Sequence, residues 1–183
     1  MDRQGVIEAT RRWISSMVIG LNLCPFARRV FQTEKIRYVV SDAQDETALR
    51  EDLASELKVL ASSAVSVFET TLLIHPCALI KFLDYNDFLG EGDRFIRALG
   101  LQGTIQIASF HPEYQFAGTD PGAPENYTNR SPYPMLHLLC EASLSELAIT
   151  PAELAEIPRR NIATLRDLGT EEILKRLESI RAV

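Results

Sequence analysis

Several things are scarce in this sequence, and each scarcity excludes a class of protein. Only three of the 183 residues are cysteine: Cys24, Cys77 and Cys140. They are odd in number and far apart, with no pair at zinc-knuckle or redox spacing. That excludes a disulfide framework and reads as reduced thiols. No apolar stretch approaches the roughly 18–20 residues of a membrane span. Segment Met1–Arg12 carries charges of both signs and no early apolar block. It lacks the form of a signal peptide, so the cytoplasm is the expected location. Basic residues are outnumbered, with 19 Lys and Arg against 25 Asp and Glu, for a net charge of −6 and a pI of about 5.1. Without a basic stripe, neither nucleic acid nor an anionic membrane is an expected partner. Also absent are a phosphate-binding Gly/Lys loop, a dinucleotide glycine fingerprint, a metalloprotease helix motif and a nucleophile elbow.

What is present describes one globular domain over residues 1–183, 46% hydrophobic and 24% charged. The 3.6-residue spacing of Val6, Trp13, Ile14, Met17 and Val18 predicts a helix over 4–19, stopped by Gly20. An apolar turn, Leu21–Phe26, follows around Cys24-Pro25. Asp45 is placed to cap a second helix with Leu49, Leu53, Leu57 and Leu60 on one stripe. A third helix is expected over 84–99 with Phe88, Phe95, Ile96 and Leu99. Strands are expected at Ile36–Val40, Val65–Ile74 and Gly103–Phe110. Residues 112–134, rich in Pro, Asn and Tyr, read as a long ordered loop whose length suggests function. Pro134 suits the first position of a helix carrying Met135, Leu138 and Leu139. Thr150-Pro151-Ala152-Glu153 is a capping box, and helices closing at Gly169 and opening at Thr170 complete the chain. Strands alternating with helices predict an α/β fold: a single layered domain with a small, mostly parallel sheet, flanking helices and a helical C-terminal segment. An α+β arrangement of the ferredoxin-like kind is the alternative.

Two apolar runs end in the same dipeptide. Phe68–Ile74 leads into His75-Pro76, and Thr104–Phe110 leads into His111-Pro112. Proline cannot donate to a ladder, so each strand stops there. In one βαβ unit both histidines would stand at the carboxyl ends of parallel strands, where open α/β sheets place ligands. Neutral imidazoles there suit a transition metal or acid–base work. The plainer alternative is a pair of strand-end histidines that cap backbone groups. His137, expected one turn into the helix after the long loop, would be kept neutral by the helix amino terminus and could complete a three-histidine metal site; the plainer alternative is a half-buried helix histidine. Asn129, Arg130 and Tyr133, just before that helix, would form a site for an anionic small molecule, or else an ordinary helix cap. Tyr114 in the loop would stack on a planar ligand or pin the loop. Cys24 reads as an inert thiol in an apolar turn. Asp84 and Asp87 suit a helix start and could orient His75.

A series of segments also resembles a known family. These are Ile19–Ala27 (IGLNLCPFA), Glu69–Pro76 (ETTLLIHP), Asp84–Leu89 (DYNDFL), Ala108–Pro112 (ASFHP), Tyr114–Thr119 (YQFAGT) and Thr128–Leu138 (TNRSPYPMLHL). Over roughly Thr10–Gly169 the chain resembles the bacterial domain-of-unknown-function family numbered 1415. That resemblance implies no activity and carries over no catalytic residues, but it marks the three histidine segments and the Cys24 turn as family-pattern segments. The residues together predict a small cytosolic enzyme. His75, His111 and His137 would act as metal ligands or acid–base groups on an anionic substrate held by Arg130, Asn129, Tyr133 and Tyr114. A non-catalytic metal- or ligand-binding module using the same pocket is the competing expectation.

Overall fold

A computed structural model describes residues 2–64, 66–142 and 150–181. Helix α1 (Arg3–Trp13) starts where the Asp2 carboxylate accepts from Gly5 N and buries Val6, Ala9, Thr10 and Trp13. It runs into a π-helical turn, Ile14–Ile19. The turn ends at Gly20, where a Cβ would collide with the Ser16 carbonyl, so only glycine fits. Then follow α2 (Ala27–Gln32), β1 (Ile36–Val40), α3 (Glu46–Ser62), β2 (Thr70–Ile74), α4 (Phe82–Ala98) and β3 (Ile105–Phe110). A 3-10 turn, Pro124–Thr128, interrupts the long loop before β4 (Met135–Cys140), α5 (Pro151–Leu168) and α6 (Thr170–Arg181). The second strand is shorter than expected, beginning at Thr70; Val65, its expected first residue, lies outside the described residues.

The fold is mixed α/β, but the sheet is not mostly parallel. Its order is β1-β2-β4-β3. β1 and β2 pair in parallel, whereas β4 runs antiparallel to both its neighbours. The reversal has one source. Residues 135–140, expected as a helix, are a strand. Met135-Leu136-His137-Leu138-Leu139-Cys140 is too short a run for periodicity to separate helix from strand. Ladders on both sides of β4 satisfy its backbone, and that tertiary context decides. The element order β-α-β-α-β-β also differs from the β-α-β-β-α-β of a ferredoxin-like fold.

Strand alternation sorts the core into two layers. Leu73, Leu136, Leu138 and Ile105 face α3 and α4, packing on Leu49, Leu53, Leu57, Tyr85 and Phe88. Leu72, Ile74 and Met135 face the other way, onto Trp13, Ile14, Met17, Leu165 and Ile173. The ends of the described chain meet there: the Arg12 guanidinium donates to the Ile180 carbonyl at 3.1 Å.

Candidate functional site

β2 and β3 point the same way with β4 between them, so their carboxyl ends lie at one edge of the sheet. His75 N donates to the Pro134 carbonyl at 3.0 Å and His111 N to the Asn129 carbonyl at 3.2 Å. Both histidines are fully buried, and both rings pack on Tyr85 of α4. His75 stacks with its centroid 5.8 Å away, and His111 is tilted at 5.1 Å. Phe82 closes on His111 at 5.5 Å and on Tyr114 at 5.1 Å. The Tyr85 hydroxyl accepts from Phe110 N at 2.9 Å and donates to the Met135 carbonyl at 2.8 Å, fastening the ends of β3 and β4.

The ring nitrogens of the pair are unequal. His75 Nδ1 donates to the Ala78 carbonyl at 2.9 Å, which leaves Nε2 buried without a hydrogen-bond partner among the described residues. His111 uses both nitrogens: Nε2 donates to the Leu79 carbonyl at 3.2 Å, and Nδ1 accepts from Glu113 N at 3.0 Å. Burial drives the pKa of His75 down to about 4 and lowers that of His111. The pair is neutral at pH 7 and offers one free nitrogen between two rings. Asp84 and Asp87 are exposed, and it is the Ala78 carbonyl that orients His75.

His137 does not join them. It sits on β4 opposite Leu72 and Ala108, on the face away from α4. Thr70 Oγ1 donates its one proton to the Leu138 carbonyl at 2.7 Å, so its 2.5 Å contact with His137 Nε2 requires the imidazole to be the donor. Nδ1 therefore keeps its lone pair, and it makes no hydrogen bond among the described residues. Burial alone lowers the His137 pKa to about 4. Among the described residues, no three His, Cys, Asp or Glu side chains converge as a set that could hold a metal ion.

The loop residues are occupied with the loop itself. The helix expected after Pro134 is a strand, so no helix amino terminus stands beside Arg130. Arg130 donates to the carbonyls of Tyr114 (3.1 Å) and Pro121 (2.6 Å), and its guanidinium lies 4.3 Å above the Tyr127 ring. Asn129 donates to the Ser109 carbonyl at 3.0 Å. Tyr133 packs on the α1 side of the core. Tyr114 stands 5.0 Å from Phe116 and receives a 3.4 Å hydrogen bond from Ser109.

His137 opens instead onto a cavity of about 220 Å3 between the sheet, the π-helical turn and α2. Trp13, Ile14, Leu72, Ala108 and Phe110 form its apolar walls, and Cys24 and Cys140 line it as well. Burial raises the Cys24 thiol pKa, so the thiol is protonated. Among the described residues, the cavity's only charged lining residues are Arg29 and Glu69, which form a two-point ion pair, with Nη1 to Oε1 at 2.7 Å and Nη2 to Oε2. Sequence reasoning missed Tyr85, Thr70 and Trp13. Tyr85 lay between the two aspartates considered for His75, and Thr70 is a polar residue inside an otherwise apolar strand. Both were visible as residues, but their partners come from distant parts of the chain.

The model of the family described as protein of unknown function (DUF1415) matches residues 5–175, and the chain belongs to this family. No curated protein and no solved structure matches.

Proposed function

We propose that this protein is a non-catalytic binding module for a small neutral molecule with an apolar body and one hydrogen-bond donor. The His137 cavity is the site. The observation that carries the reading is the Nδ1 of a neutral imidazole, without a hydrogen bond among the described residues, on a histidine that lines an apolar hollow. An acceptor there is satisfied by a ligand O–H or N–H, and leaving it unmet has a cost. The self-paired Arg29 and Glu69, the protonated thiol and the neutral imidazole give the cavity no net charge to offer an ion. Its size is also suitable, because an apolar cavity of about 150 Å3 already accepts benzene.

The test uses the chain's one tryptophan, Trp13, which lines the cavity. Phenol and toluene, similar in shape but differing in the hydroxyl, are titrated against its fluorescence. Both should bind, and His137→Leu should weaken phenol relative to toluene by about two- to twelve-fold, the value of one hydrogen bond. The reading fails if neither binds, or if the substitution leaves the phenol-to-toluene ratio unchanged. A second reading, an enzyme acting on an anionic small molecule with or without a metal, draws on two observations. One is the free Nε2 of His75. The other is an open hollow of about 760 Å3 lined by Lys81 and Arg130 together with Asp84 and Glu113. Its test is a titration with inorganic phosphate and with zinc, each followed by calorimetry.

A further inference from the structure

Among the described residues, β3 has a neighbouring strand on one side only. Along an antiparallel strand, residues alternate between those whose N–H and C=O face the neighbour and those whose groups face away. Glu141 N donates to the Thr104 carbonyl at 2.9 Å, so the even-numbered residues face β4 and Ile105, Ile107 and Ser109 face the open edge. The chain itself closes both ends of that edge. Ile105 N donates to the Leu101 carbonyl at 3.0 Å, and the Ser109 carbonyl accepts from Asn129 Nδ2 at 3.0 Å. Four groups remain without a hydrogen bond among the described residues: the Ile105 carbonyl, the N–H and carbonyl of Ile107, and Ser109 N. The edge also lacks the usual guards against pairing. β3 carries no charge and no proline, whereas the edge strand on the far side, β1, carries Arg37 and has the Arg11 guanidinium 5.4 Å over its Tyr38 ring.

We infer that two copies of this chain pair through β3, joining two four-stranded sheets into one continuous sheet. The open groups are self-complementary. A second β3 laid antiparallel about a two-fold axis at Ile107 sets Ile107 opposite Ile107 and Ser109 opposite Ile105. Opposed residues of this kind exchange two hydrogen bonds. The two Ile107 residues exchange both, and their β-branched side chains meet at the axis. Each Ser109 N meets the Ile105 carbonyl of the other copy. The bond omitted from that pair is the one between Ile105 N and the Ser109 carbonyl, and both of those groups already have partners within their own chain. Every open group is used and no closed group is disturbed, a match that a strand of unrelated sequence does not supply. Gly103 of the second copy falls opposite His111, where the Asn129 carbonyl already accepts from His111 N. Gly103 has a φ of +71° in the turn before β3, so the chain leaves the strand line at that point.

The experiment is sedimentation equilibrium of the full chain from low micromolar to millimolar concentration, with amide exchange followed by NMR over the same range. A monomer–dimer equilibrium is expected. Exchange at Ile107 and Ser109 should slow as the dimer fills, while exchange at Tyr38, on the other edge, stays constant. Ser109→Pro removes two of the four intermolecular hydrogen bonds and should weaken the dimer about five- to 150-fold. Gln106→Lys, at an exposed position, keeps every backbone group and sets two ammonium groups about 7–8 Å apart across the axis. It should weaken the dimer too, and less so as salt is added. Far-UV circular dichroism checks that each variant is folded; if Ser109→Pro is not, Gln106→Lys decides. The inference is overturned if the wild type stays monomeric throughout, if exchange at Ile107 and Ser109 does not depend on concentration, or if the folded variants dimerise as the wild type does.

Discussion

Mild acid is expected to destabilise this protein before most of its carboxylates titrate. His75 and His137 are held neutral in the fold with pKa values of about 4, against 6.5 for an ordinary histidine. Between these values the unfolded chain binds protons that the folded chain refuses, so stability falls as pH drops from about 6.5 toward 4. A displacement of this size corresponds to about 3 kcal/mol for each histidine, and about 6–7 kcal/mol for both. His111 adds to the loss in the same direction. A domain of this kind has only about 5–15 kcal/mol in total. Near pH 5 the difference approaches two bound protons, giving a slope of about 2 kcal/mol per pH unit. Urea unfolding followed by Trp13 fluorescence at half-unit steps from pH 7.5 to 5 measures it directly. His75→Asn and His137→Gln each keep the hydrogen bond donated by the imidazole, and each should reduce the slope by about half. A stability flat between pH 6.5 and 5, or slopes unchanged in both variants, would refute the reasoning. Ordinary carboxylates lose their charge mostly below this window.

Two further outcomes follow from single contacts. Tyr85→Phe keeps the rings around His75 and His111 but strands Phe110 N and the Met135 carbonyl, and should cost about 2–4 kcal/mol in urea unfolding. Arg130→Met releases the carbonyls of Tyr114 and Pro121, so limited proteolysis within residues 112–134 should quicken while phenol affinity stays as in the wild type.

The sequence was informative where local pattern and tertiary role agree. The run Ile36–Val40 is a strand with those limits, Asp45 and Thr150 cap the helices they were expected to cap, and both His-Pro dipeptides mark strand ends at one edge of the sheet. It misled where a short apolar run could satisfy either period. Met135, Leu138 and Leu139 fit a helical stripe, and nothing nearby records that β2, which begins 65 residues earlier, and β3, which begins 30 residues earlier, leave a gap of one strand's width. The same error displaced His137 to a helix and gave Arg130 a helix terminus to work with. The cavity was out of reach for a different reason. It is a failure of packing between α2, the π-helical turn and the sheet, and empty space has no composition.

The position of β4 also bears on the order in which the chain must assemble. Among the described residues, β3 pairs only with β4, and β2 and β3 are not neighbours in the sheet. A chain emerging from the ribosome can pair β1 with β2 as soon as both are out. β3 must then wait, with its ladder groups unmet, until residues 135–140 arrive. Thr70 meets Leu139 only after 69 further residues have been made. Such late, long-range closure is slow, and in the meantime it presents two open strand edges to other chains. Newly made protein should therefore depend on holding chaperones until β4 is inserted, and a chain truncated before Met135 should aggregate rather than fold to a smaller sheet.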